Sequence, residues 1–227
     1  MWGPRDTRTG RFAVEILAPK QNSVDMDENL ARFAERYATV IRAGHVVSLT
    51  DNPMGWLCYQ ATELMAELQL KVPPEQVLVH LTTFHVREAL DEILRRAQRL
   101  GVRYLLVISG DGGERLPKLS PASIGSSGSA VTAVELLAYI RRAYPGVFTC
   151  GVAFNPYEPP DHELEKLRRK TDAGAGFICT QPVLGPNARV GALAEFGLPL
   201  MIDAWMSKKL DLLSDCVGCT IPAPQAY

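Results

Sequence analysis

The chain has 227 residues, with 24 Lys and Arg against 25 Asp and Glu, 47% hydrophobic and 22% charged, a balance that excludes the disordered and collagen-like classes. A formal net charge of −1, without a block of like charges, gives no basic face for nucleic acid or an anionic membrane, and no apolar run approaches the roughly 18 to 20 residues that cross a bilayer. Residues 1–6 are polar and lack a secretory apolar stretch, and the five scattered cysteines, Cys58, Cys150, Cys179, Cys216 and Cys219, read as reduced thiols, so the expected compartment is the cytoplasm.

In chain order, the first β-branched run is residues 12–17. Helix-period positions Leu30, Phe33, Ala34, Tyr37, Val40 and Ile41 then follow the acidic start Asp25-Met26-Asp27-Glu28, predicting a helix over 26–43 that ends at Gly44. A second strand covers 45–50 and a third 77–82; a helix over 86–100 stops at Gly101, and a fourth strand covers 102–109. Helices over 131–144 and 162–173 alternate with strands over 147–153, 176–180 and 198–202. Most of these strands are apolar on both faces, as parallel strands under helices must be. Strand and helix alternation with crossover-length connections predicts a single-domain parallel α/β protein, a (β/α)8 TIM-type barrel whose last βα unit is incomplete or atypical. The Gly-Ser-rich piece 120–130, after Gly110-Asp111-Gly112-Gly113, reads as a lid over the face where such folds place their chemistry.

The strand ends carry the candidate chemistry. Glu15 lies inside the first strand, Thr50-Asp51-Asn52 ends the second, His80 and Thr82-Thr83 the third, Asp111 the fourth, Asn155 the fifth and Gln181 the sixth. A barrel gathers all of them at one rim. A carboxylate embedded in AVEILAP needs a partner or a proton, since an unpaired charge in an apolar strand costs several kcal/mol. A raised pKa would make Glu15 a general acid; the alternative is a salt-bridged edge glutamate. Asp111 between glycines suits either a ligand approached closely by backbone or a plain turn. His80 reads first as a core histidine. The lone Cys216-Val217-Gly218-Cys219 supplies half of a zinc site, so no metal is expected and incidental thiols are the simpler reading. Phosphate-loop, dinucleotide, hydrolase-elbow and zincin motifs are all missing from the sequence.

Taken in order, AVEILAP, VVSLT, VHLTT, LLVISGD, GVAFNPYEP and LEKLRRKTDAGAGFICTQPVLG resemble the methylenetetrahydrofolate reductase family over about residues 12–207. The resemblance implies a flavin-dependent barrel of one-carbon metabolism that relays hydride from NADH or NADPH through FAD to a folate. It implies that Glu15 is the acid that opens the five-membered ring of methylenetetrahydrofolate and that Asp111 lies by pterin and flavin. It further implies that Thr50, His80, Gly110, Asn155, Arg169 and Lys170 contact FAD, and that Gln181 meets folate and nicotinamide.

The chain also departs from the family pattern. Ser109 replaces the arginine before Gly-Asp, and Thr83 stands where cysteine is usual. IDAWMSKK replaces a proline-rich turn, so Trp205 either stacks on a pterin or plugs the barrel. Family members continue through an eighth strand. Closure is therefore expected from residues 217–221, from a homo-oligomer, or from a partner subunit covering the exposed edges. Two alternatives to the reductase remain at this stage: a flavin-free folate-dependent methyl or methylene transfer enzyme, and a non-catalytic folate-binding subunit.

Overall fold

Each strand sends out two rows of side chains, and both rows are largely apolar, so the sheet must be covered on both faces. The computed structural model describes residues 12–222; residues 1–6, read above as a polar leader-free start, lie outside the described residues. Seven strands, β1 Ala13–Ile16, β2 Val46–Leu49, β3 Val77–Leu81, β4 Tyr104–Val107, β5 Thr149–Phe154, β6 Phe177–Thr180 and β7 Leu200–Met201, pair in sequential order. Every pair is parallel. Helices α1 Met26–Arg42, α2 Ala61–Glu67, α3 Arg87–Leu100, α4 Ala133–Ala143, α5 Pro160–Asp172, α6 Ala188–Ala192 and α7 Leu210–Val217 accompany them.

The alternation within each strand separates two cores. Val47, Leu49, Val77, Val79, Leu81, Leu105, Val107, Val152 and Ile178 face the helices, meeting Phe33, Tyr37, Leu90, Leu94, Leu136 and Leu167. The opposite row, Val46, Leu78, Tyr104, Leu106 and Phe177 with Ile108, Cys179 and Met201 against them, forms a second cluster on the inner face. Glu15 on β1 and Asp203 just after β7 act electrostatically on one another and on Cys216, so the sheet is curled, with this row on its inner side.

Local signals explain the helix ends. The Thr132 hydroxyl accepts from Val134 N–H at 3.2 Å while Glu135 accepts from Thr132 N–H at 2.8 Å, a capping box that starts α4. α1 opens with Asp27 and Glu28 in its first turn and closes with Arg42 in its last, both favourable to the helix dipole.

The structure corrects the end of the sequence reading. Residues 217–221 do not form an eighth strand: α7 runs through Val217 and stops at Gly218, whose φ of 69° is left-handed. Among the described residues β1 and β7 are the two edges of the sheet, and Phe12 (65% exposed) and Ile202 (59%) stand open there. β7 is also shorter than expected, because Pro199 has no N–H to donate and joins the ladder through its carbonyl, which accepts from Ile178 at 2.9 Å. The expected lid is pinned on its N-terminal side. Leu116, Leu119 and Ile124 are buried, and Leu119 N–H donates to Thr83 O at 2.9 Å.

Candidate active site

Register decides which polar side chains enter the curl. Ala13 pairs with Val46 and Glu15 with Ser48, and Val46 belongs to the inner cluster, so Glu15 points inward. At the other edge Cys179, also inward, pairs with Met201, which places Asp203 two residues on in the same row. The inner row thus turns from apolar to polar as the strands reach their C-terminal ends.

Ser48 and His80 form the floor of this polar layer. Ser48 Oγ and His80 Nε2 lie 2.7 Å apart, both residues are buried, and burial holds the imidazole near 4, hence neutral at pH 7. Sequence reasoning made His80 a core histidine by default, and its placement fits that reading.

A second network locks the ends of β2 and β3. Asp51 Oδ2 accepts from Thr82 N–H and from the Thr82 hydroxyl, each at 2.8 Å, and pairs with His85 Nε2 at 2.7 Å. All three residues are buried. Asn52, with φ of 47°, accepts from Cys58 N–H at 3.0 Å and so anchors the loop that carries Met54. Neither Asp51 nor His85 stood among the residues singled out for the site, although Asp51 did mark a strand end.

Asp111 sits against that loop. Its Oδ2 accepts from Met54 N–H at 3.0 Å, and the backbones of Gly55 and Gly112–Gly113 touch beside it. A Cβ on Gly55 would fall 2.3 Å from Gly112 O, and one on Gly113 2.2 Å from Gly55 O, so both positions need hydrogen as a side chain. Gly113, two residues after Asp111, therefore serves a loop-to-loop contact with Gly55.

The acid cluster lies where the two edges of the sheet face each other. Glu15 has solvent on one side, and the surrounding protein together with the Asp203 carboxylate pushes its pKa up to about 7. Asp203 is itself raised by burial, while a bond from the Ala204 N–H favours its ionised form. Cys179 is pushed up to about 12 by burial, Asp203 and Glu15. Cys216 on α7 is raised by burial and then by Asp111, Asp215, Asp203 and Glu15, which places α7 over the same mouth. Glu15 and Asp111 are thereby brought to one site, and Asp203 joins them unforeseen.

The remaining predicted residues divide by location. Thr50 is buried at the end of β2, and its hydroxyl has no hydrogen-bond partner. Gly110 adopts φ of 79°, and a Cβ there would lie 2.6 Å from the Thr82 side chain. Asn155 N–H donates to Glu163 at 3.1 Å, and the residue lines a cleft of about 230 Å³ between α5 and α6 with Leu164 and Arg189. Gln181 is half-buried just after β6, its N–H donating to Phe154 O at 2.9 Å. Trp205 is half-buried, with its indole N–H buried and unbonded.

Arg169 and Lys170 stand apart, on α5 outside the strand ring. Lys170 is buried, donates to Ala153 O at 2.6 Å and lies 3.9 Å from Glu163, while Arg169 is exposed, 3.8 Å from Glu135. Arg189, which lines the Asn155 cleft, is bonded to the carbonyls of Pro156 and Glu158 at 2.8 and 2.9 Å. Among the described residues no group of three or more His, Cys, Asp or Glu is placed to hold a metal ion, and no helix is long and apolar enough to cross a membrane.

Parallel strands curled around an inner core, with acids at their C-terminal rim, define a TIM-barrel-like α/β protein that assembles its site from strand ends. A solved structure from Burkholderia cenocepacia assigned as a phosphonomutase shares this fold, with a TM-score of 0.51 at 16% identity over 92% of this chain and 84% of that one. More particularly, the chain belongs to the methylenetetrahydrofolate reductase family, whose model matches residues 5–187. Methylenetetrahydrofolate reductase 2 of Schizosaccharomyces pombe is 32% identical over 183 residues, 70% of this chain and 28% of that protein. Methylenetetrahydrofolate reductase (NADH) 1 of Zea mays is 27% identical over 192 residues, 78% of this chain and 30% of that protein. The chain thus spans less than a third of the length of these curated relatives.

Proposed function

We propose that this protein reduces 5,10-methylenetetrahydrofolate to 5-methyltetrahydrofolate with NADH or NADPH as the source of hydride. The observation that carries this reading is Glu15: an inward carboxyl at the rim, held near 7, in a chain of this family. A group half-protonated near neutral pH is well matched to general acid catalysis. Opening the five-membered ring of the substrate leaves an electrophilic iminium and a departing nitrogen that needs a proton. Glu15 supplies that proton. Asp111, fixed by Met54 N–H, presents a carboxylate to the cation that develops, and the amide of Gln181 has the donor and acceptor to read a pterin edge.

The residues fit FAD at its ring end. Thr50 has a buried hydroxyl without a partner, a polar group left for a ligand to satisfy. The cleft beside Asn155 suits the far end of the same ligand. When bound, FAD supplies reversible hydride chemistry between a nicotinamide and the one-carbon unit.

The phosphate end supports a second reading. Ser109 brings no cation, and Lys170 already serves Ala153 O and Glu163, both of which favour a flavin-free enzyme that transfers hydride directly. An absorbance spectrum of purified protein, before and after incubation with FAD, separates the two. Flavin bands and nicotinamide-dependent turnover support the flavin reading; turnover by colourless protein supports the second; no turnover with either cofactor set overturns the reductase proposal.

A further inference from the structure

The segment that carries Asp111 is held from three sides, and each holder comes from the end of β2 or β3. Before it, Ser109 O accepts from the Thr83 N–H at 3.2 Å and from the Thr83 hydroxyl at 2.8 Å. Both residues depart from the family pattern, and here they bond each other. Beneath it, the Gly110 backbone rests on the β3 exit, so that a Cβ there would fall 2.6 Å from the Thr82 side chain and 3.2 Å from the Phe84 ring. Beside it, Met54 N–H donates to Asp111 Oδ2 at 3.0 Å.

Asp51 joins these holders. Its Oδ2 takes the Thr82 N–H and hydroxyl at 2.8 Å each and meets His85 Nε2 at 2.7 Å, which clamps the end of β2 to the exit of β3. The Thr82 hydroxyl in turn accepts from Phe84 N–H at 3.3 Å. The turn that follows Asp51 is strained: Asn52 and Met54, neither of them glycine, adopt φ of 47° and 57°. Asparagine visits that region more readily than methionine, and such a backbone persists only where its surroundings impose it. The Met54 side chain is 36% exposed, so burial of that side chain is not what holds the residue there. What the strained backbone delivers is the N–H on Asp111. Among the described residues Asp111 Oδ1 carries no hydrogen bond and the residue is exposed, which leaves that oxygen to a ligand.

We propose that Asp51 is a positioning residue for the site: by clamping Thr82 and His85 it sets the ends of β2 and β3 so that Met54 N–H keeps Asp111 Oδ2, and Asp111 presents Oδ1 to the substrate. This rests on the reading that Asp111 faces the reacting pterin. The clamp itself is measurable without any substrate.

The experiment follows the Met54 amide proton by NMR in protein labelled with ¹⁵N-methionine, the signal assigned by M54L and its unbonded position defined by D111A. D51N, T82V and H85L each remove part of the clamp, whereas T82S keeps the hydroxyl and H85Q keeps a nitrogen donor. L94A, in the buried face of α3, weakens the fold away from the site. In D51N, T82V and H85L the signal moves toward its D111A position, and kcat falls about 10–100-fold with KM changed less, since a displacement of about 1 Å is enough for that loss. T82S and H85Q retain the wild-type signal and kcat, and so does L94A. T82V and H85L carry the test where D51N does not fold. A signal that stays in place in T82V and H85L, or that moves as far in L94A, overturns the clamp; a moved signal with unchanged kcat overturns its role in positioning. A moved signal in a protein without any reductase turnover keeps the clamp and removes the proposed function; turnover with an unmoved signal does the reverse.

Discussion

Replacing Glu15 with glutamine tests the acid without using a substrate. Its folded-state pKa of about 7 exceeds the ordinary 4.5, and a carboxyl raised in the fold is a cost that appears as pH rises. Below about 4.5 both folded and unfolded chains are protonated and nothing is lost. Between 4.5 and 7 the unfolded chain ionises first, so stability falls, reaching a lower plateau above 7. The full gap corresponds to about 3 kcal/mol, and solvent on one side of Glu15 reduces this to about 1–2 kcal/mol. Glutamine keeps the shape and never ionises, so E15Q is more stable than the wild type by that amount at pH 8 and equal to it at pH 4. For a chain of this size the difference is about 3–6 °C in Tm. Thermal unfolding followed by circular dichroism from pH 4 to 8 measures it. The same variant loses turnover by about 10²–10⁴-fold. An E15Q protein with the wild-type pH dependence of Tm would refute the raised carboxyl, whatever its activity.

Asp51 accepts three hydrogen bonds from Thr82 and His85, so D51N strands buried donors and lowers stability by about 2–3 kcal/mol in denaturant unfolding; a change under 0.5 kcal/mol would mean the network is not formed. G55A forces a Cβ to 2.3 Å from Gly112 O at a left-handed position, displaces the Met54 N–H from Asp111, and reduces kcat more than it raises KM; unchanged kinetics would detach that loop from the site. His80, held near 4 by burial, refuses the proton that the unfolded chain takes below about 6.5, so stability falls by about 3 kcal/mol as pH drops from 6.5 to 4. H80Q removes that acid-side slope, and a variant that keeps it would place the proton uptake on another group.

Much of the fold was legible because its strands are buried on both faces and its longer helices keep one apolar stripe. Val46-Val47-Ser48-Leu49 and Val77-Leu78-Val79-His80-Leu81 cannot sit anywhere but inside a covered sheet, and Leu90, Ile93, Leu94 and Ala97 mark the buried side of α3. Short helices escaped: α2 has seven residues, too few for a helical period to show, and α7 was hidden behind the strand-like CVGCTI. At the site, Glu15 announced itself because a carboxylate among Ala, Val, Ile and Leu is costly. Asp203 carried no such local mark. Its importance arises only when the sheet curls and brings the end of β7 toward β1, a relation between residues 188 positions apart. Asp51 and His85 were missed for a related reason, since TDN and TTFH each read as an ordinary polar loop until β2 and β3 pair.

Glu15 and His80 pull the pH dependence of the fold in opposite directions, and their positions explain why both are tolerated. Each lies in the inner row, where strand ends leave the packed core and the dielectric rises toward the mouth. His80, the deeper of the two, is kept neutral by burial and contributes stability that is lost as pH falls through about 6.5 to 4. Glu15, nearer to solvent, contributes stability that is lost as pH rises through about 4.5 to 7. Over the shared window the two slopes partly cancel, so the wild-type chain is less sensitive to pH than either single variant. A neutral imidazole below and a half-protonated carboxyl above also reduce the net charge on the floor of the mouth near neutral pH, while Asp111 and Asp203 stand at its rim. In the proposed reaction positive charge develops on the substrate, and among the described residues the Asp111 and Asp203 carboxyls stand at the mouth to meet it.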